Sequence, residues 1–194
     1  GSGVAREFWS TDYRLNAMIV RFPKPFVALQ DGIVMGGGIG LSGHASHRIV
    51  TERSMLAMPE TGIGLIPDVG GTWLLAHAPG QTGVYLGLTG ARMTGADAIF
   101  AGFAGRFVPS ERLPQLGLAL EQAASAADVN AVVARFAAEP PPSTLAAQAA
   151  DIDRLFAADT VEGILADLAA AGTAWSPKVA TDLAGKSPLA MKVT

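Results

Sequence analysis

Apolar residues fall along the N-terminal part of the chain in short runs punctuated by Gly and Pro, and afterwards in longer alanine- and leucine-rich stretches. After a Gly-Ser-Gly opening that reads as a loop, Ala5 to Arg21 is predicted to be a helix, with Phe8, Leu15, Ala17, Ile19 and Phe22 among the apolar positions of that region. Pro23 and Pro25 end it, since proline lacks the backbone donor and biases the preceding residue away from helix. Phe26–Gln30 reads as a short buried strand, Asp31-Gly32 as a turn, and Ile33–Met35 as a lead into Gly36-Gly37-Gly38. A second pair of strands is expected at His47–Thr51 and Ser54–Met58. Helices are expected at Gly71–Ala78, Gln81–Leu88 and Gly95–Gly102, then a last short strand at Arg106–Pro109. Ser110 and Glu111 open the next helix. The pattern then predicts helices over Glu111–Ala127, Val129–Ala138, Ser143–Ala157 and Thr160–Ala171, with Glu139-Pro-Pro-Pro-Ser143 as a break. Strands first and helices last predict an α/β body over residues 1–110 carrying a helical region over 111–194.

Composition narrows the classes. With 49% hydrophobic residues in 194, the chain is not disordered as a whole. Fourteen Lys and Arg against 17 Asp and Glu give a net charge of -3, which argues against a nucleic-acid partner. No cysteine is present, so disulfides, thiolate metal sites and a cysteine nucleophile are excluded within these residues; three histidines make a histidine metal centre a poor expectation. No apolar run approaches the ~18 residues of a membrane span, and no signal-peptide core opens the chain. The expectation is a soluble cytoplasmic protein without a membrane or metal partner.

Two segments carry candidate chemistry. In Met35-Gly-Gly-Gly-Ile-Gly40, between a strand and an expected helix, glycines let the backbone approach a ligand and free N–H groups face it. The same triplet fits a tight strand-to-helix packing turn, and the residues alone leave both readings open. No Gly-Lys-Ser/Thr follows, so it is not a P-loop. In Met58-Pro-Glu-Thr-Gly-Ile-Gly-Leu-Ile-Pro-Asp-Val-Gly-Gly71, two carboxylates, Glu60 and Asp68, stand in an otherwise uncharged loop. A carboxylate in apolar surroundings has a raised pKa, suited to acid/base work near neutral pH. The plainer alternatives are Asp68 as a helix N-cap and Glu60 as a solvated loop residue.

Together these segments resemble the crotonase (enoyl-CoA hydratase/isomerase) superfamily. The residues that carry the likeness are Tyr13-Arg-Leu-Asn16, Lys24-Pro25, Met35-Gly-Gly-Gly38, Gly40-Leu-Ser42, Met58-Pro-Glu-Thr61, Ile63-Gly-Leu65, Pro67-Asp-Val-Gly-Gly71, Leu88-Thr-Gly90 and Lys186-Ser-Pro188. The likeness covers essentially the whole chain, weakens over residues 115–180, and is greatest to the acyl-CoA hydrolase branch. It implies a crotonase-like α/β fold, a spiral of β-β-α units with a helical C-terminal region. It implies hydrolysis of a short branched 3-hydroxyacyl-CoA thioester, as in valine breakdown, with coenzyme A as part of the substrate and no cofactor.

Residue by residue, Gly37 matches one of the two backbone donors of the family's oxyanion hole, and Glu60 its catalytic carboxylate. Asp68 matches the second acid of the hydrolase branch. Asp12 falls on an acidic substrate-binding position where the family usually has Glu. Gly40 departs from the pattern: hydratases carry a second glutamate there, and a glycine cannot supply half of an acid/base pair. An isomerase working with Glu60 alone, or a non-catalytic acyl-CoA-binding protein of the same fold, are the rival expectations. The family also has an Ala-Gly-Gly-Asp type loop ahead of the matched region, supplying the other donor, and further helices after Thr194. The chain is therefore expected to be the middle of a larger protein.

His44 and His47 read as packed or surface histidines, and His77 as a helix C-terminal residue. Lys24, Arg92 and Arg106 read as surface cations rather than contacts to coenzyme A phosphates. Trp9, Trp73 and Trp175 read as core or interface anchors. The alanine-rich helices suit packing against a second subunit in a homo-oligomer as well as packing within the chain.

Overall fold

The computed structural model describes residues 2–194. Helix α1 (Ser2–Val20) starts within the expected opening loop and stops before Pro23, as predicted; Gly1 lies outside the described residues. Then come β1 (Val27–Gln30), β2 (Ile33–Met35) and a short α2 (Gly37–Ser42), followed by β3 (His47–Val50) and β4 (Met55–Ala57). A 3-10 turn at Glu60–Ile63 leads to α3 (Gly71–Ala76), α4 (Thr82–Thr89), β5 (Met93–Thr94), α5 (Gly95–Phe100) and β6 (Arg106–Phe107).

The strands separate into two three-stranded sheets, β1-β3-β6 and β2-β4-β5. β1 pairs with β3 in parallel and β2 with β4 in parallel, so the unit β3-β4-α3 is laid one layer along from the unit β1-β2-α2. This is the expected spiral of β-β-α units. His47–Thr51 and Ser54–Met58 are both strands but do not pair with each other. The chain turns between them through Thr51 N–H, which donates to Ser54 Oγ at 2.7 Å, and passes to the other sheet. Parallel neighbours need a crossover of many residues, so β1 and β2, like β3 and β4, go to different sheets, whereas β4 and β5 pair antiparallel.

The C-terminal part comprises α6 (Leu113–Leu120), α7 (Ala126–Phe136), α8 (Thr144–Leu155), α9 (Val161–Ala170), α10 (Ser176–Ala184) and α11 (Pro188–Val193). The long helix expected over Glu111–Ala127 is broken after Leu120. Ser125 starts a new one by accepting from the Asp128 N–H, the usual N-cap arrangement. One apolar cluster runs through both parts: Leu56, Met58, Leu86, Met93 and Phe103 pack with Ile152, Leu155, Phe156 and Leu183 of the later helices. Trp175 packs edge-on against Tyr85 at 6.3 Å beside this core, whereas Trp9 and Trp73 are exposed.

Candidate active site

Glu60 is placed by close packing around its turn. Met58, 1% exposed, lies so close to Gly71 that a Cβ there would stand 2.3 Å from its methyl carbon. The backbone of Met58 and Pro59 runs against Gly90, the left-handed cap of α4. Thr61 Oγ1 donates to the Leu88 carbonyl at 3.0 Å, and the Thr61 carbonyl accepts from Ser187 N–H at 3.0 Å. The turn closes where Leu65 N–H donates to the Glu60 carbonyl at 3.0 Å. So anchored from three sides, Glu60 points inward and is 5% exposed.

Its carboxyl lies beside the glycine triplet. A Cβ on Gly36 would stand 3.2 Å from Glu60 Oε1, and Gly36 has φ of +49°, so both space and backbone favour glycine. Gly37 is the first residue of α2, and its N–H has no intrahelical acceptor; the first bonds of the turn come from Ile39 and Gly40 N–H to the Gly36 carbonyl. Glu60 Oε2 is buried without a hydrogen-bond partner. Burial pushes the Glu60 pKa up from 4.5 to about 7, with the negative charge of Asp68 adding to the rise and a backbone hydrogen bond opposing it. A carboxyl that titrates near neutral pH and lacks a partner is prepared for proton transfer or for attack on a carbonyl carbon.

Asp68 sits in a different setting, half-buried at a turn rather than capping a helix; the N-cap of α3 is Gly70. Its Oδ2 accepts from Tyr13 Oη of α1 at 2.8 Å. Partial burial, then the hydrogen bond and charge of Asp68, push the Tyr13 pKa up to about 12, so the phenol remains a donor. Asp12, one residue earlier on α1, accepts weakly from Asn16 Nδ2 at 3.4 Å.

Asn16 explains the glycine at position 40. It is 5% exposed, and a Cβ on Gly40 would stand 2.7 Å from Asn16 Oδ1 and 2.7 Å from Val69 Cβ. The space a side chain at 40 would need is already filled by α1 and the Asp68 turn.

A cavity of about 710 Å³ opens between α1 and the segment from Ile66 to Trp73, lined by Tyr13, Asn16, His44, Asp68, Val69 and Trp73 among others. It brings in Asp68 but neither Glu60 nor Gly37, which form a second focus joined to the first electrostatically, through the charge of Asp68. Tyr13 and Asn16 were missed as site residues by the sequence reading. Their only signal was membership of the Tyr13-Arg-Leu-Asn16 motif, because their contacts lie far along the chain. His44 lies past the end of α2 and lines this cavity; His47 is held by Asn130 Oδ1 at 2.8 Å, and His77 caps α3, stacked on Trp73. Among the described residues, no group of three or more His, Asp or Glu is placed to hold a metal ion.

The sequence profile of the family described as "Enoyl-CoA hydratase/isomerase" matches residues 1–194. The chain is 41% identical over 201 residues to a Xenopus tropicalis protein named "3-hydroxyisobutyryl-CoA hydrolase, mitochondrial", covering 100% of this chain and 52% of the relative. It is 47% identical, with a TM-score of 0.94, to a solved carnitinyl-CoA dehydratase from Mycobacterium thermoresistibile, over 100% of this chain and 56% of that one. A solved enoyl-CoA hydratase from Rhodobacter sphaeroides is 50% identical with a TM-score of 0.87, over 95% of this chain and 52% of that one. The chain thus spans about half the length of the curated relatives it matches. The expectation of a cytoplasmic protein is corrected by the same comparison: the matched hydrolases are named as mitochondrial. That expectation rested on the lack of a leader at the start of this sequence, and a leader elsewhere in a longer chain would escape it.

Proposed function

Because the chain belongs to the enoyl-CoA hydratase/isomerase family, we propose that it provides the catalytic carboxylates of an acyl-CoA thioester hydrolase, with 3-hydroxyisobutyryl-CoA as substrate. The observation that carries this reading is Glu60: buried, unpartnered at Oε2, titrating near 7, and beside the Gly36-Gly37 turn.

In this reading the Gly37 N–H receives the thioester carbonyl oxygen, and a donor of this kind supplies about 10²–10³ in rate. Glu60 then acts by one of two routes. As nucleophile it attacks the carbonyl carbon, forms a mixed anhydride and expels the coenzyme A thiolate; water cleaves the anhydride and regenerates Glu60. As general base it takes a proton from the water that attacks directly. Either route consumes one water and yields the coenzyme A thiol and the hydroxy acid. Asp68 binds the hydroxyl of the acyl group or orients the water, and Asp12 contributes to binding at the α1 side.

A second reading, hydration or isomerisation of an enoyl-CoA, is favoured by the names of the two solved structures at 47% and 50% identity. Against hydration stands Gly40, where Asn16 and Val69 leave no room for a second carboxylate; against isomerisation, which needs Glu60 alone, stands Asp68. The test is thiol release from 3-hydroxyisobutyryl-CoA by the full-length protein, beside hydration of crotonyl-CoA. Hydrolysis that Glu60→Gln and Asp68→Asn both lower sharply, the first more than the second, is the expected result. Hydration without hydrolysis would replace the first reading by the second.

A further inference from the structure

The Asp68 turn is held in an unusual backbone conformation. Val69 has φ of +48°, alone among the described non-glycine residues in lying at positive φ. A β-branched side chain is a true outlier there. Gly70 follows at φ of +76°, and Gly71 N–H donates to the Asp68 carbonyl at 2.6 Å. Two central residues at positive φ make this a reversed turn of the kind that normally asks for Asn or Gly at both places. Conformations of this cost persist only where the surroundings impose them.

The imposing group is His44. Its Nε2 lies 2.9 Å from the Val69 carbonyl oxygen, and since a carbonyl only accepts, that nitrogen carries the proton. The ring also lies against the backbone of Gly70, where a Cβ would fall 2.4 Å from Nε2. His44 itself is fixed by the end of α2. Gly43 N–H donates to the Ile39 carbonyl at 2.6 Å, and a Cβ on Gly43 would stand 2.8 Å from Leu74 of α3. The imidazole therefore joins two packed helices to one strained carbonyl, and the next residue back is Asp68, aimed at Tyr13.

We infer that His44 is a positioning residue, holding the Asp68 carboxylate at the site by clamping Val69 in its left-handed conformation. The inference rests on the hydrolase reading of Asp68. The test uses the full-length protein with His44→Ala, the bulkier non-donor His44→Leu, and His44→Gln, whose amide donor reaches about as far as Nε2. Thiol release from 3-hydroxyisobutyryl-CoA is expected to lose about 10–100-fold in kcat/KM in the two non-donors, divided between kcat and KM as in Asp68→Asn, and to recover most of that loss in His44→Gln. In an Asp68→Asn background, loss of the His44 donor is expected to cost nothing more, because the group it positions is already disabled. Unchanged kcat/KM in the non-donors, or a loss of the same size in both backgrounds, overturns the inference. Amide hydrogen exchange at Gly71 separates this from a failure of the hydrolase reading. If the wild type releases no thiol, about tenfold faster Gly71 exchange in the non-donors, restored in His44→Gln, still sustains the clamp; unchanged exchange overturns it.

Discussion

Glu60 and Asp68 come from one Gly- and Pro-rich run, yet the fold treats them in opposite ways. Glu60 is buried to 5% exposure in a turn locked by Thr61, Leu88 and Ser187, and its Oε2 is left without a partner. Asp68 is half-buried on a turn that is itself strained, and its carboxylate has a partner in Tyr13. Rigid surroundings around an unpaired acid raise its pKa to near neutrality; a tethered acid at a cavity wall serves as an acceptor with a fixed direction. When two carboxylates of one site differ so in environment, the environment assigns their roles. The buried one suits the chemical step, and the tethered one suits binding and orientation.

The largest effects should break that division if it is wrong. Glu60→Gln is expected to lower thiol release from 3-hydroxyisobutyryl-CoA by about 10³-fold or more, expressed in kcat. Asp68→Asn is expected to cost about 10²-fold, spread over kcat and KM, since it disturbs placement rather than bond-making. Equal losses with the same kcat–KM split would erase the distinction between the two acids. The rate should rise with pH through about 7, because both routes need ionised Glu60.

The same carboxyl has a stability signature. An unfolded glutamate releases its proton near 4.5, while folded Glu60 keeps it to about 7. Between those values the folded state binds more protons, so stability falls as pH rises through the window and stays reduced above it. Glu60→Gln removes this dependence. It should be more stable than wild type at pH 8 by about 2–3 kcal/mol, with the advantage gone by about pH 4, as read by urea denaturation at each pH. A pH-independent difference would mean that Glu60 is not held protonated by its surroundings.

How much of this was legible in the sequence depends on range. β1, β2 and the helices α3 to α5 fall within a few residues of expectation, because Pro and Gly mark their ends locally. The strands at His47 and Met55 were legible as strands, but their pairing was not. Each is aligned by a strand some twenty residues earlier, and no local signal says which sheet it joins. The sequence predicts no element after Ala171, although α10 and α11 occupy much of that segment. Pro177 and Pro188 each sit in the first turn of a helix, where the missing N–H costs nothing. Glu60, Asp68 and Gly37 stand out as candidates through their motif. The contacts that give them their properties were not legible: Tyr13 reaches Asp68 across 55 positions and His44 reaches Val69 across 25.

Gly40 sharpens the comparison from the side of α1. A methyl group there collides with Asn16 Oδ1 and Val69 Cβ at 2.7 Å, and both residues line the cavity that takes in Asp68 but not Glu60. Gly40→Ala is expected to destabilise the protein by about 1–3 kcal/mol. It should also reduce activity in the manner of Asp68→Asn, raising KM as well as lowering kcat. If it instead moved the pH profile, Asn16 and Val69 would belong to the Glu60 focus, and the two-part picture would need redrawing.

Tyr13→Phe should have the smallest effect. Tyr13 is 44% exposed, so the Oη donor to Asp68 competes with water, and a hydrogen bond in that setting contributes about 0.5–1.5 kcal/mol. The phenylalanine ring keeps the contact with the cavity wall, so the expected loss is less than about tenfold in kcat/KM with little change in thermal stability. The tether and the turn are independent ways of aiming one carboxylate, and the turn, clamped by buried packing, is the stiffer. A Tyr13→Phe loss as large as that of Asp68→Asn would reverse this ranking. The phenol, rather than the acid it holds, would then be the group that meets the substrate.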